Sequence, residues 1–173
     1  IEYLKRLRGH GCDIIEVLPG TRFIQNSTRQ FVVNPGRKSD YLNLFNALQT
    51  LELKPTAIIH CWSVGQGNDD FNRAMQLGLY SVLFCTQGML DSQFALPQCI
   101  QIITNGIANV SGSEPIAPFN ATLIGMSQVL PKEIDDVHCQ LLDIGVQTND
   151  VFVSQQCLFE LMRGGNIELA LRG

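Results

Sequence analysis

Basic residues are scarce in this chain. Twelve Lys and Arg against 16 Asp and Glu leave a net charge of −4, which argues against a nucleic-acid-binding surface. The one basic cluster, Lys5, Arg6 and Arg8, reads as the polar face of a short helix. No apolar run approaches the roughly 20 residues that a membrane-spanning helix needs, so no membrane partner is expected. The amino terminus carries no signal-peptide pattern, which predicts a cytoplasmic protein. The six cysteines contain no Cys-x-x-Cys pair, and the three histidines, His10, His60 and His138, show no His-x-x-x-His spacing. A metal site is therefore not expected. Most of the cysteines sit inside apolar runs, where a free thiol behaves as a small hydrophobe of a reduced protein.

What the chain does have is apolar bulk. Hydrophobic residues make up 45% of its 173 positions and charged residues only 16%, enough for a single domain over residues 1–173 with a sizeable core. Apolar and basic residues alternate at helical spacing over residues 1–9 and stop at Gly9 and Gly11. Residues 12–20 read as a strand closed by Pro19-Gly20, and residues 21–36 as two extended pieces around a turn at Asn26-Ser27-Thr28. Ser39 or Asp40 is placed to cap the next helix, whose face carries Tyr41, Leu42, Leu44, Phe45, Leu48 and Leu51. The apolar run over residues 56–64 predicts a strand covered by helices on both faces. Asn68, Asp69 and Asp70 can cap a helix running to Leu90, which is apolar nearly all round from Met75 to Cys85.

Residues 101–133 organise the rest. They read as a buried strand, a Gly/Ser/Pro loop, and a helix with Phe119, Leu123, Met126 and Leu130 on its apolar face, ended or kinked by Pro131. A strand over residues 138–145, a helix over 150–162 and a short strand over 167–173 follow. Strands alternating with helices predict an α/β fold with a doubly wound, mostly parallel sheet.

Candidates for chemistry are few. Gly65-Gln66-Gly67 stands between a strand and a helix, where a dinucleotide fingerprint belongs. However, the third glycine position is Asp70, whose carboxylate would repel a pyrophosphate. A plain turn with a helix cap is the reading adopted. Thr104 ends a strand but cannot protonate a ketone oxygen without an acid within hydrogen-bond reach. His60 reads as a hydrogen-bonded core histidine, with Cys61 and Trp62 core beside it. No Ser-His-Asp order or glycine elbow is present, and Asp135-Asp136 reads as a solvated loop.

Residues 101–133 also resemble the catalytic unit of the short-chain dehydrogenase/reductase family. Aligned on Ala121-Thr122-Leu123, the family's catalytic tyrosine position falls on Ile116 and its lysine position on Asn120. Further phrases resemble a more specific relative. They include G-x-x-x-x-x-V-x-P-G-x-x-F (residues 11–23), N-P with D-Y-x-x-L (34–44), I-I-H-x-W-S (58–63) and L-G-x-Y-S-x-L-x-x-x-Q (77–87). T-N-G (104–106), S-E-P-I-x-P (113–118), A-T-L-I-G (121–125), V-L-P-K-E (129–133) and H-C-Q-L-L-D-I (138–144) complete the set. In order and spacing these resemble the structural subdomain of the ketoreductase region of modular polyketide synthases, a truncated Rossmann-like domain.

The resemblance implies a non-catalytic scaffold that binds no cofactor. It would brace a catalytic ketoreductase half or an adjacent methyltransferase or enoylreductase domain of the same synthase. The alternative is a diverged NADPH-dependent short-chain reductase or other nucleotide-binding domain. In the reductase family, the helices matching roughly residues 69–90 and 118–130 form the main subunit interface. Both carry more apolar residues here than one core-facing stripe requires. Leu79, Tyr80, Leu83, Phe119 and Met126 are accordingly the candidate docking residues, and weak self-association of the chain through them is a further expectation.

Overall fold

The computed structural model describes residues 2–65, 70–145 and 150–172. Helix α1 (Glu2–Gly9) forms over the predicted alternation, buries Leu7, and stops at Gly11, which takes the left-handed backbone that glycine adopts without strain. Strands β1 (Glu16–Pro19), β2 (Ile24–Gln25) and β3 (Gln30–Val33) build a small sheet in the order β1-β3-β2. β1 runs parallel to β3 and β2 antiparallel. The polar turn closes through the backbone N–H groups of Asn26 and Ser27, both donating to the Gln30 carbonyl.

Helix α2 (Lys38–Thr50) buries Tyr41, Leu44, Phe45 and Leu48, as its spacing predicts. Its cap differs from expectation. Ser39 and Asp40 lie inside the helix, and Arg37 stands at the cap position without a side-chain bond. Asp40 is instead buried and accepts the Asn34 N–H at 3.0 Å, fastening the β3–α2 turn.

The second sheet is wholly parallel, in the order β4 (Ala57–His60), β5 (Cys99–Asn105), β6 (His138–Ile144), β7 (Ile167–Leu171). Between β4 and β5 the chain forms α3 (Phe71–Met75), a π-helical turn over Gln76–Tyr80 and α4 (Ser81–Asp91), where one continuous helix was expected. Asp70 caps α3, its carboxylate accepting the Arg73 N–H at 3.0 Å. A 3-10 turn over Pro118–Ala121 leads into α5 (Thr122–Glu133), which continues two residues past Pro131. α6 (Asp150–Arg163) precedes β7.

Helices cover both faces of the parallel sheet, which is the doubly wound arrangement. On one face Phe45, Val82, Met89, Leu123 and Leu130 from α2, α4 and α5 meet Ile100, Ile102 and Leu141 of the strands. On the other, Ile103, Leu142 and Leu171 meet Cys157 of α6 and Tyr3 of α1. Two fully buried glutamines run through this second layer. Tyr3 Oη donates to Gln101 Oε1 at 2.7 Å, Gln101 Nε2 to Gln140 Oε1 at 2.8 Å, and Gln140 Nε2 to the Glu160 carbonyl at 2.6 Å. Each buried amide is thus partnered, which offsets its desolvation cost and fixes the register of α1 and α6 on the strands.

β4 departs from expectation. All four of its residues are only half-buried, Cys61 is exposed and Trp62 half-buried. Its apolar run marked a strand covered by helices on both faces; among the described residues β4 bonds only to β5 and forms a sheet edge, which leaves its side chains partly open.

Gly88 shows where packing is tightest. A Cβ there would stand 2.7 Å from Tyr41 Cβ and 3.0 Å from the Leu42 nitrogen, where α4 crosses α2. Gly88→Ala is therefore expected to cost about 1–3 kcal/mol in urea unfolding, because backbone has to shift. Gly125→Ala, on an open face of α5 with nothing within 4 Å, is expected to stabilise by about 0.5–1 kcal/mol. Equal effects at the two positions would contradict this packing.

Candidate functional site

In open α/β sheets, ligands sit beyond the carboxyl ends of the strands. Here the loops at that end bond to one another. Asn120, which the sequence resemblance aligns with the reductase lysine, is buried, and its Nδ2 donates to the Asn105 carbonyl at 2.9 Å and the Ser63 carbonyl at 3.4 Å. The Asn105 side chain in turn accepts the Gly65 N–H at 2.8 Å. One amide thus ties the turn after β4, the end of β5 and the 3-10 turn together. Such a group has no proton to exchange near neutrality and no charge to hold a ribose or phosphate.

Ile116, which the same resemblance aligns with the tyrosine, is 40% exposed on the loop leading to that turn, and its side chain is hydrocarbon. The loop itself is pinned by Gly106, which has φ of +73° and lies so close to Ala117 that a Cβ would stand 2.8 Å from its nitrogen. The Ala117 N–H donates to the Gly106 carbonyl at 2.7 Å. Thr104 is fully buried on β5, and its Oγ1 has no partner. Its hydroxyl is sealed from solvent.

Gln66, Gly67, Asn68 and Asp69 lie outside the described residues, so the glycine pair is placed only at Gly65. Asp70 beside them spends its carboxylate on the α3 cap. His60 is bonded as expected, Nε2 to Ser81 Oγ at 2.6 Å. Burial pushes its pKa down to about 4, so the ring is neutral at pH 7. Its Nδ1 has no partner. All six cysteines are free, and burial pushes the thiols of Cys85, Cys99, Cys139 and Cys157 up to between about 11 and 12, which keeps them unreactive. Among the described residues no group of His, Cys, Asp and Glu could hold a metal ion, and no helix is long and apolar enough to cross a membrane.

A brace unforeseen in the sequence closes the same end of the sheet. Asp143 is nearly fully buried on β6 and accepts the backbone N–H groups of Ile107 and Ala108 at 3.2 and 3.0 Å. Arg172 Nη2 donates to Asp143 Oδ2 and to the Ala108 carbonyl, both at 2.8 Å, and its Nε to Glu114 Oε1 at 2.8 Å. Asp, Glu and Arg 29 and 58 positions apart carry no local signature.

Of the docking candidates, only Tyr80 is openly exposed, at 39%; Leu79, Leu83, Phe119 and Met126 are half-buried. Phe119 packs edge-on against Phe71, and Tyr80 stacks on Phe84. Phe71 and Val129 on the same helices are exposed; Val129 is among the apolar residues that crowd its helix in the sequence, while Phe71 was not singled out there.

The brace has a measurable consequence. Arg172→Met leaves Asp143 buried with only its two backbone donors, and is expected to cost about 2–3 kcal/mol in urea unfolding. Glu114 titrates below its ordinary 4.5, held down first by the Ser111 N–H and then by Arg172. Its contribution is complete above that ordinary value and is lost as pH falls below it. The variant should therefore lose part of the acid-side slope of stability; an unchanged slope would contradict the pairing.

Known proteins frame this geometry. The multidomain structure of a keto acid-selecting NRPS module, with adenylation, ketoreductase and pseudo-Asub parts, aligns with 98% of this chain at 21% identity and a TM-score of 0.81. An N-terminal ketoreductase from the macrolactin assembly line aligns with 97% at 18% identity and a TM-score of 0.75. This chain spans only 15% and 35% of those two chains. A short-chain dehydrogenase/reductase of the glucose/ribitol dehydrogenase type from Brucella melitensis aligns with 98% at 12% identity and a TM-score of 0.67, over 88% of its own length. The fold is therefore that of a truncated, Rossmann-like reductase domain. No curated protein matches the chain. A family model does, described as beta-ketoacyl synthase-like, N-terminal, over residues 1–160, and the chain belongs to that family.

Proposed function

We propose that this chain is the non-catalytic structural subdomain of the ketoreductase region in a polyketide synthase module. The observation that carries the reading is Asn120. The position where a reductase keeps its lysine holds an amide spent on two backbone carbonyls, and the tyrosine position holds Ile116. Among the described residues, Thr104 is sealed and His60 is neutral, so neither is placed to donate a proton to a ketone oxygen. The chain's role is then mechanical. It holds a catalytic half, or another domain of the same synthase, in a defined position.

The supporting surface is apolar. Phe71, Tyr80 and Val129 lie exposed at 54%, 39% and 47% on the helices that pair subunits in whole reductases. Residues of this kind in one region suit an interface with another domain. The partner in this reading is the catalytic ketoreductase half.

Two measurements test the proposal. Titration calorimetry with NADPH is expected to give no saturable heat, and micromolar binding would overturn the scaffold reading. Tyr80→Lys and Val129→Lys are expected to weaken co-purification with the catalytic half at least tenfold, about 1.4 kcal/mol, with little change in thermal stability. Unfolding of both variants would place these side chains in the core and the docking surface elsewhere.

A further inference from the structure

The wide turn between α3 and α4 leaves a backbone group without its regular partner. In an α-helix the Ser81 N–H would donate to the Leu77 carbonyl, four positions back. Here it is shared between the Gln76 carbonyl, five back, and the Gly78 carbonyl, three back. The Leu77 carbonyl thereby loses its usual donor. Turns of this π type are rare, and a buried carbonyl needs a replacement donor.

A side chain supplies it. Ser81 Oγ is fully buried and stands 3.0 Å from the Leu77 carbonyl and 2.9 Å from the Gly78 carbonyl. Both oxygens can only accept, so the single hydroxyl proton is directed to them. His60 Nε2 lies 2.6 Å from the same Oγ and is therefore the donor of that bond. The neutral ring then carries its proton on Nε2, which agrees with an Nδ1 that has no partner. A serine bonded back onto its own helix is common. The further donor from β4 is what sets this one apart, because it fixes the hydroxyl from the sheet side.

The turn also decides where two aromatic rings stand. One residue corresponds to about 100° of helix rotation, so closing the wide turn would rotate α3 by that amount relative to α4. α4 is held against α2 by the close approach of Gly88 to Tyr41, and the rotation would fall on α3. Phe71 of α3 is 54% exposed, with its ring 5.1 Å from that of Phe119 and nearly perpendicular to it. Tyr80, the last residue of the wide turn, stacks on Phe84 at 6.0 Å.

We propose that His60 and Ser81 form an internal latch that holds this π turn open and thereby positions Phe71 and Tyr80 on the apolar surface. Both act through the turn, so they are positioning residues. The use of Phe71 and Tyr80 in docking rests on the function proposed above; the latch does not.

Nuclear magnetic resonance on the unaltered chain gives the first test. A through-hydrogen-bond coupling is expected from the Ser81 N–H to the Gln76 carbonyl, and a coupling to the Leu77 carbonyl instead would overturn the proposal. The second test is the nuclear Overhauser contact between the Phe71 and Phe119 rings. Ser81→Ala and His60→Leu are expected to weaken it at least fivefold. Ser81→Thr keeps a hydroxyl that can bond back onto the helix, and His60→Gln keeps an N–H donor, so both are expected to retain it. Retention in all four variants would show that the bonds position nothing. Loss in all four would assign the effect to packing and equally overturn the latch. Should Ser81→Ala and His60→Leu fail to fold, the coupling and the two conservative variants still decide. Neither readout needs a partner domain, so a failure of the docking reading and a failure of the latch are told apart.

Discussion

A buried polar group has to find its partner inside the protein, and at the carboxyl end of this sheet the partners are other loops of the same chain. Asn120 serves two backbone carbonyls, the Asn105 side chain serves Gly65, and Asp143 serves two backbone amides and Arg172. In a reductase this is where a cofactor and a reacting carbonyl are held. Here Asn120 and Asn105 are engaged in closing the fold, and the pair of Asp143 with Arg172 is fixed by several hydrogen bonds.

The opposite condition prevails between β1 and β4. There, among the described residues, β1 and β4 each have one strand partner, and the apolar side chains of Ile58, Ile59 and Leu18 stay partly in water. The domain is thus closed at the end where reductases act and open along an edge where sheets are ordinarily continuous. The proposed scaffold role would use that distribution, because rigid ends position neighbours while open edges and apolar helix faces join them.

Much of this was legible in the sequence. Helix and strand positions followed the apolar periods, and Gly11, Gly106 and Asp70 punctuated them as their chemistry dictates. What was not legible depended on neighbours. The run of residues 56–64 describes how apolar β4 is but not how many strands flank it, so Cys61, expected in the core, is exposed, while Trp62 packs against the core only half-buried. Asp40 has the chemistry of a cap, yet the turn from β3 claimed it first. The brace of Asp143, Glu114 and Arg172 joins residues with no fixed spacing and could only be found in three dimensions.

The central claim is that this domain transfers no hydride. Incubating the chain with NADPH and a β-ketoacyl thioester, and following the loss of reduced nicotinamide, tests it most directly. The account predicts no oxidation above the rate without protein. Substrate-dependent oxidation of NADPH by these 173 residues would contradict it.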